Sequence, residues 1–216
     1  MDGRRRPERV ARVLREIAAD VVGVQELDAR HGAEHGHDQW QLLAELAGYT
    51  AIPGPTLLRE DAAYGNGILT RLPIVSDARV DLSRTGREPR GAIDATLDFT
   101  GARIRVVVTH LGLRRGERRE QGLQLLAHLS DCNAAVSVLM GDFNEWLASS
   151  AALARVHRLF GEAAGVATFP SLLPLVSLDR IWVRPASALR GLRAHRSATA
   201  RIASDHLPIV ADLALP

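Results

Sequence analysis

Residues 136–140 form a short, mostly apolar run that ends in Gly141 and then delivers Asp142 and Asn144 on either side of Phe143. Such a run reads as a buried strand. In an extended chain, residues two apart face the same way, so the carboxylate and the amide would meet one spot just past the strand end. A carboxylate that can hold a metal or polarise water, beside an amide that can orient a phosphate or a nucleophile, is a hydrolytic pairing. Asp-x-Asn also closes ordinary Asx-turns, so the pairing gains weight only if other strands bring matching groups.

Four further stretches bring them. Glu26 ends the short strand of residues 20–24, and His110 follows the strand of residues 103–108. Asp179 precedes the strand 181–183, and Asp205 with His206 precedes the strand 207–213. Each has a plain explanation by itself: a solvated loop glutamate for Glu26, a satisfied core histidine for His110. Together they share one property, a place within a residue or two of the end of a short apolar strand. Strand ends are where α/β sheets place chemistry, because the sheet fixes position while the loop leaves side chains available. Carboxylates for a hard cation, two histidines and an amide are the inventory of metal-assisted phosphoester hydrolysis.

The positioning elements are legible around these residues. Residues 7–19 carry Val10, Val13, Leu14 and Ile17 on one helical face, with Pro7 suited to the first turn. Further helices are expected at 39–47, stopped by Gly48, at 114–130 and at 149–160, with a strand at 92–98. A helix that leads directly into a strand implies an earlier strand before it. Only six residues precede Pro7, and four of them are charged. Tyr64-Gly-Asn-Gly67 carries an Asn-Gly turn signal, while Tyr64 and Asn66 also have the chemistry to hydrogen-bond a phosphate. His31, His35 and His37 in the polar stretch 28–38 read as solvent-facing, as do Arg114, Arg115, Arg118 and Arg119 at a helix start.

A chain of 216 residues that is 46% hydrophobic and 24% charged is expected to form one globular domain over residues 1–216. All 27 basic residues are arginine and the net charge is only +2, so basicity does not argue for a nucleic-acid partner. Cys132 is the single cysteine, which excludes an intrachain disulfide and a cysteine-based zinc site. No apolar run is long enough to span a membrane, so the chain as written is expected to be cytoplasmic; an upstream targeting segment would change that.

The phrases Val-Val-Gly-Val-Gln-Glu26, Tyr-Gly-Asn-Gly-Ile-Leu-Thr-Arg-Leu-Pro73, Val-Thr-His110-Leu-Gly, Gly-Asp142-Phe-Asn144, Leu-Asp179-Arg-Ile and Ser-Asp205-His206-Leu-Pro-Ile resemble the successive blocks of the endonuclease/exonuclease/phosphatase superfamily. They stand in the family's order and cover residues 2–216. The His-Leu-Gly-Leu, Thr-Phe-Pro-Ser and Leu-Asp-Arg-Ile phrases look more like the bacterial phosphodiesterase-like branch than the DNA-repair nucleases. The resemblance implies an α/β fold, a four-layer α/β/β/α sandwich of two mixed sheets. It also implies that Glu26 and Asp205 serve a Mg²⁺ site, with Mn²⁺ as an alternative ion. Asp142 and Asn144 would position the attacking water, His206 would be the general base oriented by Asp179, and His110 would donate to a phosphate oxygen. Glu88, in Arg87-Glu88-Pro89, resembles a carboxylate partner of that last histidine, and Tyr64 and Asn66 become phosphate-side groups.

The expected activity is divalent-metal-dependent hydrolysis of a phosphodiester or phosphomonoester in a small molecule or a lipid head group. A nuclease acting on DNA or RNA is the alternative, disfavoured by an aromatic content of 4% and no insertion able to enter a groove. Natural substrate, metal count and oligomeric state stay open. One departure stands out: family members begin with a strand ending in Thr-Tyr-Asn or Thr-Trp-Asn, and this chain starts after it. A sheet short of a central strand exposes two edges, which leaves a third reading, an inactive truncated member acting as a binding domain. A version extended upstream through such a strand is expected to melt higher and to hydrolyse phosphodiesters faster. Equal melting temperatures and equal rates for both forms would refute that expectation.

Overall fold

The computed structural model describes residues 6–30, 37–60, 62–130, 134–147 and 150–215. His31, His35, Cys132 and Ser149 lie outside the described residues. The elements run α1 (Pro7–Ile17), β1 (Val21–Arg30), β2 (His37–Asp38), α2 (Gln39–Ala47), β3 (Thr50–Arg59), β4 (Ala62–Thr70), β5 (Ile74–Asp81), β6 (Gly91–Phe99), β7 (Ala102–His110), α3 (Arg115–Leu129), β8 (Val136–Asp142), α4 (Ala151–Phe160) and β9 (Asp179–Arg184). A 3-10 turn (Ala186–Ala188), β10 (Leu189–Ala194), α5 (Ala200–Ala203) and β11 (Ile209–Leu213) complete the chain.

The helices begin and end where their chemistry directs. Pro7 opens α1, where its missing N–H costs nothing, and Ala18 closes it in the left-handed region at φ 54°. The Asp38 carboxylate accepts from the backbone N–H groups of Trp40 and Gln41 at the start of α2, and Gly48 ends that helix at φ 75°. Ser150 caps α4 by accepting from the N–H of Leu153.

Two large sheets face each other. One has the order β2-β1-β4-β3 with every pairing antiparallel; the other, β5-β6-β7-β8-β9, is mixed, its β7–β8 pair being parallel. The period-2 alternation of the strands builds three apolar layers at once. Val106 and Val108 of β7, Val138 of β8, and Ile181 and Val183 of β9 point inward against Ile52 and Ile68 of the facing sheet. The intervening Val107, Leu139 and Trp182 point outward beneath α3 and α4, meeting Leu125, Leu153 and Val156. On the other outer face Leu27, Ala29 and Leu69 pack under Leu14 of α1 and Leu43 of α2. The result is the expected α/β/β/α layering. β10 and β11 form a separate two-stranded sheet. Among the described residues, the stretch 21–24 of β1 pairs only with β4, and β11 pairs only with β10. No helix among the described residues is long and apolar enough to cross a membrane.

Two local readings of the sequence are corrected, and one strand that it did not signal is added. β1 does not stop near Val24 but continues to Arg30 across a bulge between Val24 and Leu27, with Glu26 at φ 60°. Tyr64–Gly67 is no turn: it lies inside β4, hydrogen-bonded to β1 and β3. Gly67 is there because a Cβ would sit 2.7 Å from the Trp40 ring. β3 gives little strand signal because Pro53 and Pro55 interrupt it, which its edge position tolerates.

Gly141 carries the strictest backbone requirement. Its φ is 147°, and a Cβ there would fall 1.8 Å from the carbonyl oxygen of Thr109 on the neighbouring strand. Gly141→Ala is therefore expected to lower stability by about 2 kcal/mol or more, since the β7–β8 pair must part. Thermal melts of the variant check this, and an unchanged melting temperature would contradict it.

Candidate active site

The parallel and antiparallel ladders of β7, β8 and β9 set His110 directly beside Asp142, and Asp142 directly beside Asp179. Three chemistry-bearing side chains from three strands thus stand in one row. His110 Nε2 lies 3.5 Å from Asp142 Oδ2. Asn144 joins them in a way the strand pleat does not explain. Asp142 Oδ1 accepts from the Asn144 N–H at 2.7 Å, an Asx-turn, and Asn144 takes φ 49°. That turn swings the Asn144 amide back, so that Nδ2 lies 3.0 Å from His110 Nε2 and donates to Leu111 O at 2.9 Å. Turn and functional pairing are one structure here.

The second histidine approaches from the loop before β11. His206 Nδ1 lies 2.7 Å from Asp179 Oδ2, and the hydroxyl of Thr168 donates to the same carboxylate oxygen. Phe169 packs its ring 4.9 Å from the His206 ring and 6.1 Å from that of Trp146. The loop of Thr168 is tied to the His206 loop by Ser171 N donating to Asp205 O at 2.7 Å and Leu207 N to Thr168 O at 2.9 Å.

Electrostatics divide the row into two halves. Burial, the Arg90 guanidinium and His206 push His110 down to about 3, so it is neutral at physiological pH. Burial raises Asp142 to about 6, with the charges of Asp179 and Glu26 acting in the same direction. Burial pulls His206 down, but the hydrogen bond and charge of Asp179, then Asp142 and Asp205, outweigh it and hold the ring at about 9.

The other expected site residues take varied places. Glu26 is exposed on the β1 bulge, and its charge reaches Asp142. Asp205 is exposed beside His206. Glu88 does not touch His110: Arg90 stands between them, its Nη1 donating to Glu88 Oε1 at 3.0 Å and lying 3.5 Å from His110 Nδ1. Asn66 is buried and donates to Gly91 O at 3.1 Å, which also accepts from Thr109 Oγ1, so it supports the strand end of His110 from behind. Tyr64 is half-buried in β4. Arg118, read as part of a solvated helix face, is instead buried and paired with Glu145 at 3.3 Å, and sequence reasoning missed Arg90 and Thr168. Thr168 was visible in its Thr-Phe-Pro-Ser phrase; nothing local marks Arg90 or Arg118 as buried.

The model of the Endonuclease/Exonuclease/phosphatase family matches residues 1–206. A protein of Escherichia coli K12, the uncharacterized YbhP, is 32% identical over 218 residues, spanning 94% of this chain and 86% of that protein. Among solved structures, a mannosyl-6-phosphatase of Bacteroides thetaiotaomicron superposes with a TM-score of 0.81 at 18% identity, over 97% of this chain and 91% of that one. TDP2 of D. rerio, complexed with a single-strand DNA product, superposes with a TM-score of 0.69 at 21% identity, over 97% and 93% of the two chains. The chain belongs to the endonuclease/exonuclease/phosphatase family.

Proposed function

We propose that the protein is a divalent-metal-dependent phosphoester hydrolase. The observation that carries this reading is the aligned row His110–Asp142–Asp179 with His206 hydrogen-bonded to its end. His206, oriented through Nδ1 by Asp179, presents Nε2 to an attacking water and would take its proton in the neutral form, the minor one below its pKa of about 9. Asp142 and Asn144 hold that water and the phosphoryl group in place. His110, neutral and buried, would donate to a non-bridging oxygen in the tautomer protonated at Nε2, once Asn144 Nδ2, 3.0 Å away, gives up its contact with that nitrogen. Arg90 adds positive potential beside it.

Glu26 and Asp205 are the residues that would hold the ion. Among the described residues, no group of three or more His, Cys, Asp or Glu forms a ready cage. Two exposed carboxylates fit Mg²⁺, which keeps several waters and takes one or two carboxylates; Mn²⁺ accepts the same oxygen donors. When bound, the ion supplies charge that polarises a phosphoryl oxygen and offsets the carboxylates that keep His206 protonated.

Hydrolysis of bis-(p-nitrophenyl) phosphate tests this. Release is expected with Mg²⁺ and lost with EDTA, and His206→Ala is expected to lower the rate by roughly 10²–10⁴-fold. Metal-independent release, or a rate untouched in the variant, would overturn the reading.

The neutral state of His110 has a second consequence. Its folded pKa of about 3 lies below its ordinary 6.5, so the unfolded chain binds the extra proton between those values and stability is lost as pH drops through that range. Asp142, raised to about 6, has the opposite sign: its contribution is lost as pH rises through 6. Comparing wild type with His110→Gln by urea unfolding isolates the first effect. The wild-type advantage is expected to shrink by about 2 kcal/mol between pH 7 and pH 4.5. A constant difference would mean that His110 is not held neutral.

A further inference from the structure

Six of the eleven exposed large apolar side chains among the described residues lie on the three loops that carry the site. Leu113 follows His110, Trp146 and Leu147 follow Asn144, and Leu172, Leu173 and Leu175 lie between Thr168 and Asp179. Their exposures run from 55% to 71%. Singly, exposed apolar residues mean little; gathered around a catalytic mouth they mark an interaction surface.

The three loops form one rim. Arg118 Nη1 donates to Leu113 O, and its Nη2 lies 3.3 Å from Glu145 Oε2, so a buried ion pair joins the first loop to the second. Trp146 packs on Phe169, which joins the second to the third. Within the third, Leu175 N donates to Phe169 O, and Arg201 Nη1 donates to Leu172 O from α5. The leucines are therefore presented on a braced loop.

The rim is flanked by cations of one sign. Arg87 and Arg114 line a cleft of about 510 Å³ beside it, and Arg115 and Arg119 follow on the exposed start of α3. The guanidinium groups of these four make no hydrogen bond or ion pair among the described residues. Of the acidic groups beside them, Glu120 pairs with Arg84 and Glu88 with Arg90, while Glu117 accepts from Gln121 and keeps its charge, leaving the cluster net positive. A twofold contact between copies would set these arginines against themselves. An anionic lipid surface complements both the charge and the apolar rim, with tryptophan and leucine entering the interface and arginine meeting the head groups.

We infer that this rim docks on an anionic lipid bilayer and that the site takes its phosphoester from that surface. What is hydrolysed there rests on the proposed function; the docking itself is measured separately. Trp146 provides the probe, since Trp40 and Trp182 are only 2% and 1% exposed. With the full chain, vesicles of phosphatidylcholine and phosphatidylglycerol are expected to shift the tryptophan emission to the blue and to sediment the protein. Pure phosphatidylcholine and high salt are expected to weaken both effects. The triple variant Leu172→Ser, Leu173→Ser, Leu175→Ser should bind the mixed vesicles at least tenfold more weakly, with unchanged circular dichroism melts and unchanged hydrolysis of bis-(p-nitrophenyl) phosphate. No shift and no sedimentation with mixed vesicles would overturn the inference, as would undiminished binding by the triple variant. A wild-type dimer in sedimentation velocity that the triple variant loses, without vesicle binding, would overturn it in favour of a second copy. Vesicle binding without phosphodiester hydrolysis would uphold the docking and sink the hydrolase reading alone.

Discussion

Three strands joined by two backbone ladders and ending at one level are the constraint on which the site depends. β7, β8 and β9 are each locked by hydrogen bonds to a neighbour, and that register alone sets His110, Asp142 and Asp179 side by side. Slipping any of these strands by one residue would exchange its inward and outward side chains. Val108 would leave the inter-sheet core and Trp182 would leave the layer beneath α4. The two apolar layers therefore hold the row in register, and they do so far from the chemistry. Gly141 belongs to the same constraint, because the strands close to this distance only where a Cβ is missing.

The row then has to keep ionisable groups in a largely buried place, which is costly unless each is compensated. The protein does this differently at its two ends. At His110 the ring stays neutral beside a guanidinium that has its own carboxylate partner in Glu88. At His206 three carboxylates surround the ring, and its charged form is favoured. Two histidines in one site are thus held in opposite charge states by their environments.

Behind the row, buried polar contacts connect both loops and strands. Arg118 with Glu145 joins the loop after β7 to the loop after β8, and Asn66 with Thr109 meets on one carbonyl of β6. Breaking such a pair by removing one member leaves a charge or amide without compensation, so these contacts specify loop position more than they add stability. The apolar rim consequently sits on braced loops that adjoin the strand ends carrying the row.

The sequence by itself determined the element types and the list of chemistry-bearing residues. Apolar periodicity located β7, β8 and β9, and Pro7, Gly48 and the stretch after residue 149 marked helix ends, because these signals act within a few residues. The same local signals misled where tertiary packing overrode them. Asn66-Gly67 became strand interior because Trp40 needs the space over Gly67, and β1 ran on through a bulge at Glu26. Only the tertiary structure decided that Arg90 stands between Glu88 and His110, that Asn144 reaches His110 through an Asx-turn, and that Asn66 lies behind the row. These relations join residues tens of positions apart, and their distances are set by sheet register and inter-sheet packing, which no short window of sequence contains.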